Sequence, residues 1–342
     1  MAEPSPSFAL VLAGGNALGA YQAGVYEALA EAGIEPARIA GVSAGAINGA
    51  LIAGNAPVDR LDRLRAFWRP SAGPPDSGGP IDTWRRTSAV AWTMANGRDG
   101  LFTPQLGDWS VGGPSLYDSR PLADTLARLI DLDCLNHAAP RFQAVTVDVK
   151  SGREIVFDTA KRAITPDQLR ASAGLIPVLP PVEIDGRVLV DAGLSANVPL
   201  DPVLADVPEN GLICLAVDLL PLAAPRPKTL SAVAERMQDL VFACQGRRAA
   251  EMWGRVMDAE VRAAAASGAP PPPPVTLLHL HYADQADEVV GKAFDFSPAS
   301  IAARWAQGRR DAAPLAAAIR AGAFAGDQPG LTVRRFHGRT PE

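Results

Sequence analysis

Ile39-Ala40-Gly41-Val42-Ser43-Ala44-Gly45-Ala46-Ile47-Asn48 is an apolar strand that runs through Gly-x-Ser-x-Gly straight into a helical stretch. That pattern specifies a sharp strand-to-helix turn with the Ser43 hydroxyl exposed at its apex, the form of a nucleophile elbow. Gly41 and Gly45 flank the turn because a side chain there would collide with the strand or helix folded against it. The helix that follows points the positive end of its dipole at Ser43, which favours negative charge on an attacking oxygen.

Upstream, Phe8-Ala9-Leu10-Val11-Leu12 reads as a short buried strand, Gly14-Gly15-Asn16-Ala17-Leu18-Gly19 as a turn, and residues 20–32 as a helix. A glycine turn between strand and helix leaves backbone N–H groups pointing outward and can bind an anion. A dinucleotide-binding fingerprint would want glycine where Asn16 stands, and an acid for the ribose after a second strand. Neither is evident. A purely structural turn would explain the glycines, but not two anion-friendly turns so close together.

Far downstream, Val182 to Val190 reads as a hairpin turning at Asp185-Gly186. Its second strand ends on Asp191-Ala192-Gly193-Leu194-Ser195-Ala196-Asn197-Val198-Pro199. An aspartate at the C-terminal end of a strand stands where loop chemistry occurs in open α/β sheets. A turn-forming Asp is also common, and Asp148 and Asp218 end strand-like segments too, so position alone does not single out Asp191.

Together the three elements resemble the patatin-like acyl hydrolase family, in which a glycine-rich oxyanion loop, a Gly-x-Ser-x-Gly serine and an aspartate occur in this order. The resemblance implies an α/β protein with a three-layer α/β/α patatin-like fold. By the same resemblance Ser43 is the nucleophile and Asp191 the general base of a Ser-Asp dyad, with Gly14, Gly15 and Asn16 as the oxyanion hole. Gly19, Gly41, Gly45 and Gly193 would support these motifs. Ala171 to Pro177 and Asn197-Val198-Pro199 are similar to the family's segments on either side of the aspartate strand. The likeness covers roughly residues 8 to 205. Phe294-Asp295-Phe296-Ser297 and Arg304-Trp305-Ala306 resemble an extension carried by a bacterial subgroup.

Three positions depart from the family pattern: Asn16 for the third loop glycine, Leu18 for a basic residue, and Ala192 for glycine after the aspartate. Backbone donation survives a change to Asn if the conformation is kept, and Asn tolerates positive φ. Loss of the cation at position 18 leaves two readings: a preference for neutral over anionic esters, or a Leu18 that packs under the elbow.

The main rival is a Ser-His-Asp α/β-hydrolase, which places several strands before its elbow and needs a late histidine. Here one strand precedes Ser43. The histidines are His137, His279, His281 and His337, and His279 and His281 alternate along one face of a strand. They offer a triad base, a metal pair or simply a polar strand face. No Cys or carboxylate sits at ligand spacing around them along the chain, so no metal is expected, and no cofactor.

A chain of 342 residues with 48% hydrophobic and 20% charged residues has ample core and is not disordered. The net charge of −5 gives no reason to expect nucleic acid and argues against strong attraction to anionic membranes. No apolar run is long enough to span a bilayer, and the N-terminus is no signal peptide. Cys134, Cys214 and Cys244, odd in number and widely spaced, read as reduced, buried thiols of a cytosolic protein.

Alternating strands and helices up to Leu219 predict a largely parallel sheet with helices on both faces. Residues 70–116 break that rhythm with Pro- and Gly-rich sequence followed by Trp84, Trp92 and Trp109. This insertion reads either as a cap over the serine or as simple packing. Residues 231–266 are helical by composition, residues 270–274 form a stiff linker, and Ser297-Pro298 starts a last helix with a capping serine. The expected organisation is a catalytic domain over residues 1–221 and an extension, 222–342, packed on it. The expected function is hydrolysis of lipid or lipid-like carboxylic esters, with transient contact to a lipid surface. The alternative is a weakly active or inactive lipid-binding scaffold.

Overall fold

A computed structural model describes residues 5–71, 79–105, 115–326 and 328–337, and the backbone of 340–341. The first half contains strands β1 (Ser7–Leu12), β2 (Arg38–Gly41), β3 (Thr103–Pro104), β4 (Tyr117–Asp118), β5 (Arg141–Asp148) and β6 (Glu154–Asp158). Its helices are α1 (Ala20–Glu31), α2 (Ala44–Ala53), α3 (Arg60–Trp68), α4 (Pro80–Asn96), α5 (Arg120–Leu129), α6 (Leu132–His137) and α7 (Pro166–Ser172). Then follow β7 (Val182–Ile184), β8 (Arg187–Asp191), α8 (Gly193–Ala196), α9 (Asp201–Leu204), β9 (Leu212–Asp218) and α10 (Leu230–Ser267). The chain ends with β10 (Pro274–His281), α11 (Pro298–Arg320), β11 (Gly330–His337) and β12 (Thr340–Pro341).

Ten of these strands form one sheet in the order β12-β11-β10-β9-β1-β2-β5-β8-β7, with β6 paired to β5. The run from β11 to β5 is parallel throughout. Alternation along the strands sends side chains to opposite faces. Phe8, Leu10 and Leu12 join Leu215, Val217 and Leu280 in the core beneath α1, α2 and α11. Ala9 and Val11 join Cys214, Ala216, Val275 and Leu277 in the core beneath α9 and α10. The result is the three-layer α/β/α sandwich that the alternation of elements predicts.

The C-terminal region is not simply laid on this sandwich. β10 pairs with β9 in parallel register, Val275 opposite Leu212, so residues 222–342 extend the same sheet. Helix α11 lies across α1 with backbones nearly touching: a Cβ at Gly24 would stand 1.9 Å from Trp305 O, and one at Gly308 would stand 2.0 Å from Tyr21 O. The helix starts as its sequence predicts, with the Ser297 side chain accepting from Ser300 N and proline at the first position. No helix among the described residues is long and apolar enough to cross a membrane.

Of the insertion, Trp109 and residues 72–78 lie outside the described residues. The described part holds α4, which buries Arg86, Val90 and Thr93. Trp84 and Trp92 face away from the protein, 72% and 69% exposed. Among the described residues they cover no site, and most of each ring is open to solvent. The cysteines are free; Cys214 is buried, which pushes its thiol up to about 12, while Cys134 and Cys244 are only half-buried.

Candidate active site

Strand β2 ends at Gly41, and Ser43 takes φ 56° and ψ −127°, a backbone conformation that costs a non-glycine residue about 1–3 kcal/mol. The surroundings impose it. A Cβ at Gly41 would lie 2.4 Å from Gly45 O, and one at Gly45 would lie 2.1 Å from Leu12 O, so α2 packs directly against β1 and β2. The Ser43 amide donates to both the carbonyl and the Oγ of Ser172, at 3.1 and 3.2 Å, and Ser172 Oγ in turn donates to Val145 O at 2.7 Å. Ser172 is thus a buried strut that holds the turn.

Asp191 reaches Ser43 through a feature of the sheet. β2 pairs with β5 only over residues 141–144, because the elbow ends it at Gly41. Beyond that point the same edge of β5 is taken by β8, running antiparallel, with Asp191 opposite Thr146. β8 therefore abuts the end of β2 head-on and delivers its last residue to the elbow. The hairpin that aims it turns at Asp185 and Gly186, both at positive φ. The Asp191 carboxylate accepts a hydrogen bond from Gly193 N at 2.7 Å and lies beside the Ser43 hydroxyl, which favours its ionised form. It is fully buried, and burial raises its pKa to about 6 although the neighbouring Ser43 hydroxyl and Gly193 N–H pull it down. Among the described residues no histidine stands with them: His137 lies on α6, and His279, His281 and His337 gather at Asp218.

The glycine-rich loop stands beside them. A Cβ at Gly14 would lie 3.1 Å from Ser43 Cβ. The Gly14 amide donates to Asn197 O at 3.2 Å, so Gly14 shapes the loop and does not offer its N–H to an oxyanion. Gly15 and Asn16 have no acceptor for their amides among the described residues. Asn16 holds φ 51°, a left-handed conformation that asparagine tolerates. Ala192 is helical and buried among Val42, Val145 and Val190, so its methyl packs under the elbow without strain. Leu18 is fully buried in the core, as the packing reading expects.

Several residues to which the sequence assigned no role of their own hold these parts in place. Asn197 ties the glycine-rich loop to the turn after Asp191, its Nδ2 donating to Gly14 O at 3.3 Å. Gln245 of α10 accepts from Asn197 N at 2.6 Å and donates to Gly193 O at 3.0 Å, clamping the turn that follows Asp191. Asn48 of α2 donates to Gly19 O and Gln22, and accepts from Trp68 Nε1, locking the elbow helix to the loop helix. From the other end of the chain, buried Arg304 donates to Ala17 O at 3.2 Å while paired with Glu288. Its guanidinium stands next to position 18, where the family pattern carries a basic residue.

Among the described residues the other serines and acids do not assemble a second site of this kind. Ser195 Oγ donates to Glu154 at 2.9 Å, and Asp148 accepts from Lys150 N. His279 and His281 are buried and meet Asp218 from the adjacent strand. A carboxylate therefore does reach them, from a position too distant along the chain for the spacing argument to find. Burial, with His279, His337 and Arg335 nearby, lowers the His281 pKa to about 2, so that ring is neutral.

A model described as patatin-like phospholipase matches residues 10–204. A second, described as patatin phospholipase, matches residues 254–319. An uncharacterised NTE family protein of Mycobacterium tuberculosis is 28% identical over 209 residues, which is 61% of this chain and 30% of that protein. Another from the same organism is 27% identical over 215 residues, 63% of this chain and 49% of its own length. The chain thus spans less than half the length of these relatives. The crystal structure of VipD from Legionella pneumophila aligns over 92% of this chain and 67% of its own, at 14% identity and a TM-score of 0.47. The family match takes in the glycine-rich loop, the elbow and the aspartate turn in one continuous span, and by it the chain belongs to the patatin-like phospholipase family.

Proposed function

We propose that the protein is a serine acyl hydrolase that cleaves lipid or lipid-like carboxylic esters with Ser43 and Asp191. The observation that supports this reading is the juxtaposition of the Ser43 hydroxyl, at the apex of the strained turn, with the buried Asp191 carboxylate. As Ser43 Oγ bonds to the acyl carbon, its proton passes to Asp191, and the amides of Gly15 and Asn16 hold the oxyanion. The proton then leaves on the alcohol as the ester bond breaks. Water repeats the cycle on the acyl-enzyme, giving a proton to Asp191 and releasing the acid. Burial helps by raising the pKa of Asp191 toward that of its task.

Family membership supports a lipid substrate, and so do the surroundings of the dyad. Asp191 N donates to Gly174 O, and Leu116 N donates to Pro177 O. On these segments and on α8, Leu116, Ile176 and Leu194 are exposed apolar residues. With Trp84 and Trp92 they suit transient contact with a lipid surface. A serine-directed fluorophosphonate probe tests the reading: it should label the protein, and Ser43→Ala should abolish both labelling and ester hydrolysis. A properly folded protein that takes no label would instead be the lipid-binding scaffold.

A further inference from the structure

One strand away from the glycine-rich loop, a second polar cluster lies at the same end of the sheet. β9 carries Cys214, Ala216 and Asp218 on the face toward α10, and β10 carries Val275, Leu277, His279 and His281 on that same face. Register places His281 opposite Asp218, and His337 of β11 opposite His281. Three of the four histidines in the chain thus meet here. Asp218, His279 and His281 are each at most 3% exposed.

The polar atoms of this cluster do not satisfy one another. Asp218 Oδ1 accepts from Leu220 N at 3.3 Å, which fixes the carboxylate. Asp218 Oδ2 faces His279 Nε2 at 3.5 Å and His281 Nδ1 at 3.8 Å, too far for good hydrogen bonds. Asp218 Oδ2, both nitrogens of His279 and Nε2 of His281 are buried with no hydrogen-bond partner. Buried polar atoms are ordinarily paired, so four in one place call for a missing partner. The three side chains each offer one donor atom, and all three atoms lie within 4.8 Å of one another. Ligand atoms at 2.0–2.1 Å from a tetrahedral ion lie about 3.4 Å apart. The two carboxylate–imidazole separations nearly match that value, and a small closure of the imidazoles completes it.

We propose that Asp218, His279 and His281 bind one divalent first-row transition-metal ion, zinc best suiting two imidazoles and a carboxylate. Its role is structural. The ion ties β9 to β10, and His337, stacked on His281 with ring centroids 4.9 Å apart, orients that ligand. α10 closes the site at Gly246, where a Cβ would stand 3.3 Å from Asp218 Oδ2. The residue after Asp218 reaches the catalytic side: a Cβ at Gly15 would strike Leu219 Cδ1 at 2.7 Å. The ion therefore stiffens the wall behind the glycine-rich loop without touching substrate.

The test uses the full chain stripped of metal with a chelator, then titrated with Zn2+ or Co2+. One equivalent should bind, and zinc at about a hundred times its Kd should raise Tm by about 5 °C. Co2+ should give the visible ligand-field absorption of a low-symmetry nitrogen and oxygen site. Both signals should vanish in Asp218→Asn and in the His279→Gln/His281→Gln pair. If the parent takes up neither ion, or if the folded double variant binds as the parent does, the proposal fails. Should the variants not fold, the Co2+ spectrum of the parent decides: ligand-field bands support the site, and their absence overturns it.

Discussion

Two polar clusters sit at one end of one sheet, and they are built on opposite principles. At the elbow, the Ser43 amide, the Asp191 carboxylate, Ser172 and Asn197 all have partners, and Ser43 is only half-buried. At Asp218, His279 and His281 the groups are sealed from solvent and their hydrogen-bonding atoms are left over. A saturated, partly open cluster suits turnover, because its partners orient groups that must meet a substrate. A sealed, unsaturated one suits a permanent occupant. Neighbouring residues of α10 serve both: Gln245 holds the turn after Asp191, and Gly246 roofs Asp218.

The largest effect expected from breaking this contrast is at Asp191. Asp191→Asn should lower kcat by about 10^4-fold, since the Ser43 proton then has no acceptor. It should not lower stability at pH 7. Folding raises this carboxyl's pKa from 3.8 to about 6, so the native state is penalised once the group ionises. The amide removes a buried charge that costs about 3 kcal/mol. Melting curves at pH 7 and pH 4 check the sign: the variant should match or exceed the parent at pH 7, and any advantage should shrink toward pH 4. A variant much less stable than the parent at pH 7 would make Asp191 a structural residue instead.

The pH profile of the parent sharpens the same point. Asp191 must be ionised to accept a proton, so kcat/KM should fall about tenfold per unit below pH 6. A profile flat down to pH 4 would exclude it as the titrating base. Next in size is Gln245→Ala, which frees the turn after Asp191. We expect kcat to drop about tenfold with KM nearly unchanged. If the two clusters are independent, this variant keeps its metal-induced rise in Tm; loss of that rise would mean that α10 couples them. The smallest effect belongs to the exposed tryptophans. Trp84→Ser with Trp92→Ser should slow turnover on lipid vesicles about threefold and leave a short, soluble ester untouched. Equal loss on both substrates would place α4 in the core of the enzyme.

Much of the fold could be read locally. The apolar run of β1, the glycines about Ser43, the Asp185-Gly186 turn and the Ser297-Pro298 cap are patterns of adjacent residues, and each forms as its local chemistry dictates. The insertion was less legible: three tryptophans read as a possible lid, yet Trp84 and Trp92 point outward, because apolar content alone does not say which way a helix face will turn. Leu18 was legible only as a choice between charge and packing, and its burial decides for packing. The position it leaves without a cation lies next to Arg304, nearly the whole chain away in sequence.

What the sequence determined by itself was the set of parts: a strand, a glycine loop, a nucleophile turn and an aspartate turn, each specified by steric and hydrogen-bonding needs within a few residues. What only the tertiary structure decided was which parts meet. β8 enters antiparallel where β2 stops, which sets Asp191 rather than Asp148 or Asp218 against Ser43. Strand order sets β10 beside β9, which brings Asp218 to a pair of histidines that no spacing rule connects to it. The physical reason is that sheet register is settled by the burial of two whole faces at once, a property of every strand together and of none alone.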